Sequence, residues 1–251
     1  MKIVVIGGTG LIGSKLVHAL DQHGHEAVAA APSTGVNTLT GEGLAEVLAG
    51  ASVVVDVSNS PQLDDSAIEF FRTATTNLLT AEKDAGVGHH IALSVVGTAA
   101  LAPQSGYFQA KLLQENLIAE GPIPYTLVHA TQFFEFIDTL ADSATADGVV
   151  RMPAAYFQPM AAADVAQGLA IAAVNGPVNG LTEIGGPQAF LLPDLIRTAL
   201  TAHGDTREVV ADPKAQYWGI DIDERTLCPG EGATLFDTRF EDWLLETAAK
   251  A

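Results

Sequence analysis

Tyr107 and Lys111 stand four residues apart, so a helix through them puts a phenol and an ammonium on one face. An ammonium beside a phenol favours the phenolate, and the spacing predicts a lowered phenol pKa. Such a tyrosine gives or takes a proton near neutral pH. Ser94 lies upstream near the end of a strand pattern, where its hydroxyl can hydrogen-bond a carbonyl oxygen. A second feature is the run Gly7-Gly8-Thr9-Gly10-Leu11-Ile12-Gly13. Of its glycines, Gly7 suits a tight turn, Gly10 a close backbone approach to a pyrophosphate, and Gly13 close packing of a helix on a strand. The free N–H groups and positive dipole end of the following helix add to the attraction for phosphate.

These groups need elements to hold them. Residues 3–6 are a β-branched run of the kind buried on both faces of a parallel sheet. Leu11, Ile12, Leu16, Val17 and Leu20 follow helical spacing, with Gly24 as the C-terminal cap. Further strands are expected at 26–30, 52–57, 90–95 and 125–128, with a very short one at 35–38. Helices are expected at 44–48, from Asp64 and Asp65 to Gly86, and at 106–120. This alternation predicts parallel strands joined by right-handed crossovers, hence a doubly wound α/β sheet. Beyond residue 131 the pattern loosens, with helices expected at 132–145, 162–174, 192–203 and 236–248 and strands at 148–151 and 181–184.

Composition limits the partners. The 251 residues carry 12 Lys plus Arg against 30 Asp plus Glu, a formal net charge of −18, which repels nucleic acid and anionic membrane surfaces. Hydrophobic residues at 48% supply a core for one large α/β domain. No apolar run reaches the length of a membrane span. Residues 3–6 break at Gly7 and read as a strand, not a signal peptide. A single cysteine, Cys228, allows no internal disulfide and fits a reducing cytoplasm. No His, Cys and carboxylate spacing points to a metal, and His89 and His90, adjacent on a strand, point to opposite faces.

The glycine turn, Ser94 and the Tyr107/Lys111 pair appear in the order of the short-chain dehydrogenase/reductase superfamily. The chain resembles its atypical, NmrA-like branch through residues 7–13, 107–115 (YFQAKLLQE), 124–136 (PYTLVHATQFFEF) and 158–165 (QPMAAADV). The resemblance covers residues 1 to about 200. It implies a Rossmann-type NAD(P)-binding fold, with cofactor contacts at Gly7, Thr9, Gly10, Leu11 and Ile12 in the pyrophosphate turn. It places Ser33 where a 2′-phosphate is discriminated and Val36 and Asn37 beside the adenine. Val57, Ser58 and Asn59 would line the nicotinamide ribose, with Lys111 also on that ribose. Ala130, Thr131 and Phe133 would face the nicotinamide amide, and Ser94, Tyr107 and Lys111 would be the catalytic group. The second strand ends Ala29-Ala30-Ala31-Pro32-Ser33-Thr34 with no acid to bind a ribose 2′-OH. Two free hydroxyls there suit a 2′-phosphate, so NADP is the expected cofactor and NAD the alternative. The arginine that many NmrA-like proteins carry after this strand is absent.

The expected molecule is a single Rossmann domain over residues 1–251, its cofactor part about 1–130 and a small C-terminal substrate-side cap from segments about 131–235. The resemblance implies an NAD(P)H-dependent oxidoreductase reducing a carbonyl or related unsaturated group, with Tyr107 as proton donor. Phe133, Phe134, Phe136, Tyr156 and Phe157 would roof an apolar substrate, closed by Tyr217 and Trp218. The alternatives are a non-catalytic NAD(P)-binding redox sensor and an NAD-using epimerase or dehydratase. The expected partner is a small-molecule substrate, with homo-oligomerisation left open.

Overall fold

The computed structural model describes residues 1–248. Its first elements are β1 (Lys2–Ile6), α1 (Leu11–Gln22), β2 (Glu26–Ala30), α2 (Leu44–Leu48), β3 (Val53–Asp56), α3 (Ser66–Ala85) and β4 (His89–Val95). Then come α4 (Thr98–Leu101), α5 (Gly106–Ala119), β5 (Tyr125–Ala130), α6 (Ile137–Ser143), β6 (Thr145–Ala146), β7 (Val149–Met152) and β8 (Tyr156–Phe157). The last are α7 (Ala162–Asn175), β9 (Gly180–Gly185), β10 (Phe190–Leu191), α8 (Leu192–Ala202), β11 (Glu208–Ala211), β12 (Thr234–Leu235) and α9 (Phe240–Ala248). Seven strands form one parallel sheet in the order β12-β9-β5-β4-β3-β1-β2, the doubly wound α/β sheet that the alternation predicted and the Rossmann-like fold that the resemblance implied. The described residues pack as two compact units, Met1–His129 with Val165–Thr182, and Ala130–Asp164 with 183–248.

In the first unit, Val4, Val5, Val54 and Val55 are wholly buried, as a β-branched run covered on both faces must be. Val4, Ile6 and Val54 pack with Leu44, Leu48 and Leu78, while Ala92 and Leu127 pack with Leu79 and Ile118. Helices α2, α3 and α5 therefore cover one face. Strand order reverses at β1, whose neighbours are β2 and β3, so the crevice for a ligand opens at the carboxyl ends of β1 and β3. His89 and His90 do point to opposite faces. His89 Nε2 lies 2.9 Å from Thr126 Oγ1, whereas His90 Nδ1 lies 2.8 Å from Glu82 Oε1 on α3.

Three expectations need correction. Residues 35–38 form no strand, because their backbone groups close turns instead: Val36 N–H bonds Ala31 O, Asn37 N–H bonds Glu42 O, and Gly41 N–H bonds Asn37 O. The segment 132–145 is helical only from Phe134, because Gln132 is held extended by the Met160 N–H on its carbonyl. The last helix starts at Phe240, not 236, since Phe236 N–H bonds Gly185 O as an extension of β12.

The second unit holds a three-stranded sheet, β11-β7-β6, and the pair β10-β8. Strands β6 and β7 join through a two-residue turn, Asp147-Gly148, with φ of 52° and 76°. Positive φ at both central residues marks the type I′ hairpin, for which Asp-Gly is a favoured pair. Trp218-Gly219 builds the same kind of turn, with φ of 50° and 77° between Tyr217 and Ile220, which exchange both backbone hydrogen bonds. A tryptophan there is strained by about 1–2 kcal/mol, because its Cβ crowds the following carbonyl. Its edge contact with Tyr217, at 6.4 Å between centroids, recovers about 0.5 kcal/mol. Trp218→Asn should therefore raise stability by about 0.5–1 kcal/mol in urea titration; a loss of stability would show that the exposed indole holds the hairpin in place.

Candidate active site

The glycine turn sits where the strand order reverses. Gly7 has φ of +77°, and a Cβ on it would stand 2.9 Å from Ser58 N in the loop after β3. A Cβ on Gly13 would run into Gly7 O. Gly8, given no role by the sequence, is equally confined, since its Cβ would meet Ala29 Cα at 2.6 Å. Gly10 differs: its Cβ would meet only Gly7 O, at 3.3 Å, so the protein itself does not require glycine there. The first helical bond of α1 is Ser14 N–H to Gly10 O, which leaves the N–H groups of Leu11, Ile12 and Gly13 without an intrahelical acceptor. No side chain caps them and no acid sits in the first turn. Thr9 and Leu11 are exposed beside this end, while Ile12 is buried beneath it. The residues therefore fit a pyrophosphate.

The second strand is less generous than its sequence promised. Thr34 Oγ1 donates towards Ala31 O at 3.0 Å and accepts from Ala31 N–H at 2.9 Å, so it is not a free ligand for a 2′-phosphate. Ser33 remains exposed. Val36 is buried, and the Asn37 side chain braces its own loop by accepting from Leu39 N–H. Glu42 and Glu46 line the hollow formed with Val28, Ala29, Thr34, Gly35 and Val36. Of the loop after β3, Val57 and Ser58 are half-buried and Asn59 is exposed, its Oδ1 accepting from Ser60 N–H.

Along α5 the groups at 107, 111, 114 and 115 share one face. Tyr107 is half-buried, its ring 6.5 Å from that of Phe71. Burial pushes its phenol up to about 12, against a weaker opposing hydrogen bond from Asn59. This corrects the expectation that Lys111 lowers it. The ammonium is engaged elsewhere: Lys111 Nζ donates to Leu93 O at 2.8 Å and to Gln114 Oε1, and lies 4.6 Å from the centre of the Phe71 ring. Burial lowers its own pKa to about 8, with Asp56 and Glu115 working the other way. Gln114 Nε2 in turn donates to Asp56 Oδ2 at 3.0 Å.

Ser94 also has a partner that the sequence did not suggest. It is 2% exposed, and its hydroxyl donates to Glu115 Oε1. His129 Nε2 lies 2.9 Å from the same carboxylate oxygen. Burial would raise the Glu115 pKa, but His129, the Ser94 hydroxyl and Lys111 together hold it below the usual carboxylate range. An ionised Glu115 keeps the Ser94 proton, so Ser94 ties β4 to α5 and does not offer a donor to a carbonyl. Asp56, Gln114, Glu115 and His129 complete the cluster. Their available signals were an acid ending an all-valine strand and two polar residues on the helical face of Tyr107 and Lys111.

In the second unit, Ala130 and Thr131 are buried and Phe133 is half-buried, its ring stacked on Phe136 at 5.8 Å. Thr131 Oγ1 and both amide atoms of Gln132 are buried without a hydrogen-bond partner. Such groups cost about 1–3 kcal/mol each unless a ligand or water meets them. They fit a polar group such as a carboxamide. Phe134 and Phe157 are 2% exposed and belong to the core, Phe134 against Phe240 and Trp243, which corrects their expected place over a substrate.

The sequence model of the NAD dependent epimerase/dehydratase family matches residues 3–120. No curated protein sequence matches the chain. Among solved structures, a short-chain dehydrogenase/reductase superfamily protein from Agrobacterium tumefaciens with bound NAD is 17% identical, with 99% of this chain and 96% of that chain covered and a TM-score of 0.75. The UDP-glucose 4-epimerase of Thermus thermophilus, in complex with NAD, is 16% identical over 86% of this chain and 88% of its own, at a TM-score of 0.68. An NADPH-dependent quinone oxidoreductase from Escherichia coli, complexed with NADPH, is 20% identical over 84% of this chain and 77% of its own, at a TM-score of 0.66. At these identities the likeness is one of fold.

The turn makes a clean prediction. Gly10→Asp should weaken NADPH binding about 100-fold or more in calorimetry, because the carboxylate would cap the helix N–H groups itself. Thermal stability should hold or rise. Unchanged affinity would remove the pyrophosphate from this turn.

Proposed function

We propose that the chain is an NAD(P)H-dependent oxidoreductase that reduces a carbonyl or related unsaturated group of a small apolar substrate. The observation that carries the reading is the glycine turn at the carboxyl edge of β1, with Gly10 open and three helix N–H groups free. The bound dinucleotide would supply the hydride. The chain's own residues supply the proton and the positions. A phenol near 12 stays protonated through the physiological range, so Tyr107 suits the donor side of the reaction. As the carbonyl carbon takes hydride, the oxygen gains negative charge and accepts the Tyr107 proton, leaving an alcohol. Lys111 would support the ribose side from the same helix face.

A second reading has its own support. The family match over residues 3–120 favours a redox-neutral epimerase or dehydratase, in which NAD is reduced and reoxidised within one turnover. Net consumption of added NADPH or NADH separates the two. With a panel of ketones, quinones and imines, loss of reduced-nicotinamide absorbance is expected. Tyr107→Phe should slow it by about two to four orders of magnitude while cofactor affinity stays close to wild type. Full activity in that variant would take the tyrosine out of the mechanism. Conversion of a substrate without net cofactor consumption would favour the second reading.

The nucleotide is proposed to be NADP(H), through Ser33. Glu42 and Glu46 in the adjoining hollow oppose a 2′-phosphate, so the preference rests on a single hydroxyl. Ser33→Ala should lower NADPH affinity about tenfold, the loss of one hydrogen bond to a charged group, and leave NADH unchanged. Tighter NADH than NADPH binding by the wild type would reverse the assignment.

A further inference from the structure

Lys111 is a buried cation whose nearest acceptors are neutral. It is 3% exposed, and its ammonium donates to a backbone carbonyl and to an amide oxygen, with an aromatic face on a third side. The neutral acceptors satisfy its protons but supply no charge. Asp56 on β3 supplies one at a distance, 3% exposed itself and reached only through Gln114.

The direction of the amide is fixed by this arrangement. An ammonium only donates and a carboxylate only accepts. Gln114 must therefore turn Oε1 to Lys111 and Nε2 to Asp56, and the reverse orientation would set like against like at both ends. The other oxygen of Asp56 accepts the Ser58 N–H at 2.9 Å, in the loop whose backbone closes on Gly7. A continuous chain of hydrogen bonds thus runs from the ammonium on α5, through one amide and one carboxylate, to the backbone behind the glycine turn.

We propose that Gln114 is a positioning residue, an amide that bridges the Lys111 ammonium to Asp56 and so ties the lysine to the Ser58 loop. The role deepens the function proposed above and rests on its placing Lys111 at the ribose. Leucine at 114 would pack acceptably on the helix but would leave the ammonium and Asp56 unconnected. A carboxylate at 114 would bring negative charge into contact with the ammonium but could not donate to Asp56, so it would keep one end of the bridge and break the other. The two changes therefore act on the lysine in opposite directions.

The charged and titratable groups around Lys111 come from several elements. Asp56 faces it from β3, and Glu115 lies one residue beyond Gln114 on α5, with His129 of β5 against that carboxylate. Tyr107 precedes it on the same face, and α3 contributes the uncharged Phe71 ring. Glu115 stays in place in each variant, so a difference between variants reports on position 114.

The test is a pH titration of the lysine side chains by NMR in the whole protein labelled with 13C-lysine. Lys111 is assigned by its absence from Lys111→Met, against Lys2, Lys15, Lys83, Lys214 and Lys250. The wild-type Lys111 midpoint is expected near 8. Gln114→Glu should raise the midpoint by at least about one pH unit, as an opposite charge in contact does. Gln114→Leu should lower it, and Asp56→Asn should lower it from the far end of the bridge, which keeps the test intact if the leucine variant fails to fold. In parallel, NADPH affinity should fall about tenfold in Gln114→Leu, the loss of one positioned contact, although residue 114 lies outside the glycine turn. Coincident midpoints in wild type, Gln114→Glu and Asp56→Asn would overturn the bridge. Shifted midpoints in a protein that binds no dinucleotide would leave the bridge standing and defeat the functional reading instead.

Discussion

The backbone of the glycine turn lies against the backbone of the loop after β3, with no space for a side chain between them. Gly7 closes on Ser58, Gly8 on Ala29 and Gly13 on Gly7, so the start of α1 is held down on β1 by contacts that admit no Cβ. The helix N-terminus is consequently presented at one fixed place at the edge of the sheet. Everything else at the site is measured from there. Ser58, which forms one wall of that contact, is anchored by Asp56, and Asp56 anchors Gln114 and Lys111. A backbone constraint in the first β–α turn is thus carried by side-chain hydrogen bonds to a helix about a hundred residues later in the chain.

The polar face of α5 stays ionised although it is buried. The Lys111 ammonium would be driven to its neutral form by burial, and Asp56 and Glu115 limit that drive. Glu115 keeps its charge because it accepts from Ser94 and lies beside His129 and Lys111. Partner for partner, the cluster sets the Lys111 ammonium near the Asp56 and Glu115 carboxylates, with neutral groups hydrogen-bonded to each ion, the arrangement that makes buried charge tolerable. Gln114 is the neutral link between Lys111 and Asp56, and Ser94 the neutral donor to Glu115. Substituting either would leave an ion desolvated without its partner, which costs more than the hydrogen bond itself.

What was readable in the sequence follows from which forces are local. The strands β1 and β3 announce themselves as continuous β-branched runs, which burial on both faces of a sheet asks for, and the helix α3 by apolar residues at helical spacing. The two-residue strands β6, β8, β10 and β12 do not, because no alternation fits in so few positions. The Gly7–Gly13 turn was legible for the same local reason, since backbone torsion and steric room dictate its residues. The pairing of Ser94 with Glu115, and of Gln114 with Asp56, was not, because those partners meet only through the tertiary packing of α5 on the sheet. The same cause inverted the Tyr107 argument. A spacing of four residues puts Lys111 on the right face, yet it does not say whether the ammonium turns to the phenol or away to Leu93 O and Gln114.

That reversal bears on the choice between the two functional readings. A redox-neutral epimerase must at some point take a proton from a hydroxyl, which asks for a tyrosine that ionises near neutrality. A reductase asks only that the phenol be a donor, and a buried, neutral phenol with its ammonium neighbour engaged elsewhere already is one. In the chain as it stands, the groups that would make Tyr107 a base are directed into the α5–sheet interior, so the electrostatics favour proton donation. A positively charged nicotinamide near Tyr107 would push the other way, since it stabilises the phenolate. Under the proposed function, an oxidised dinucleotide beside Tyr107 would favour the acceptor role of the phenol and a reduced one its donor role.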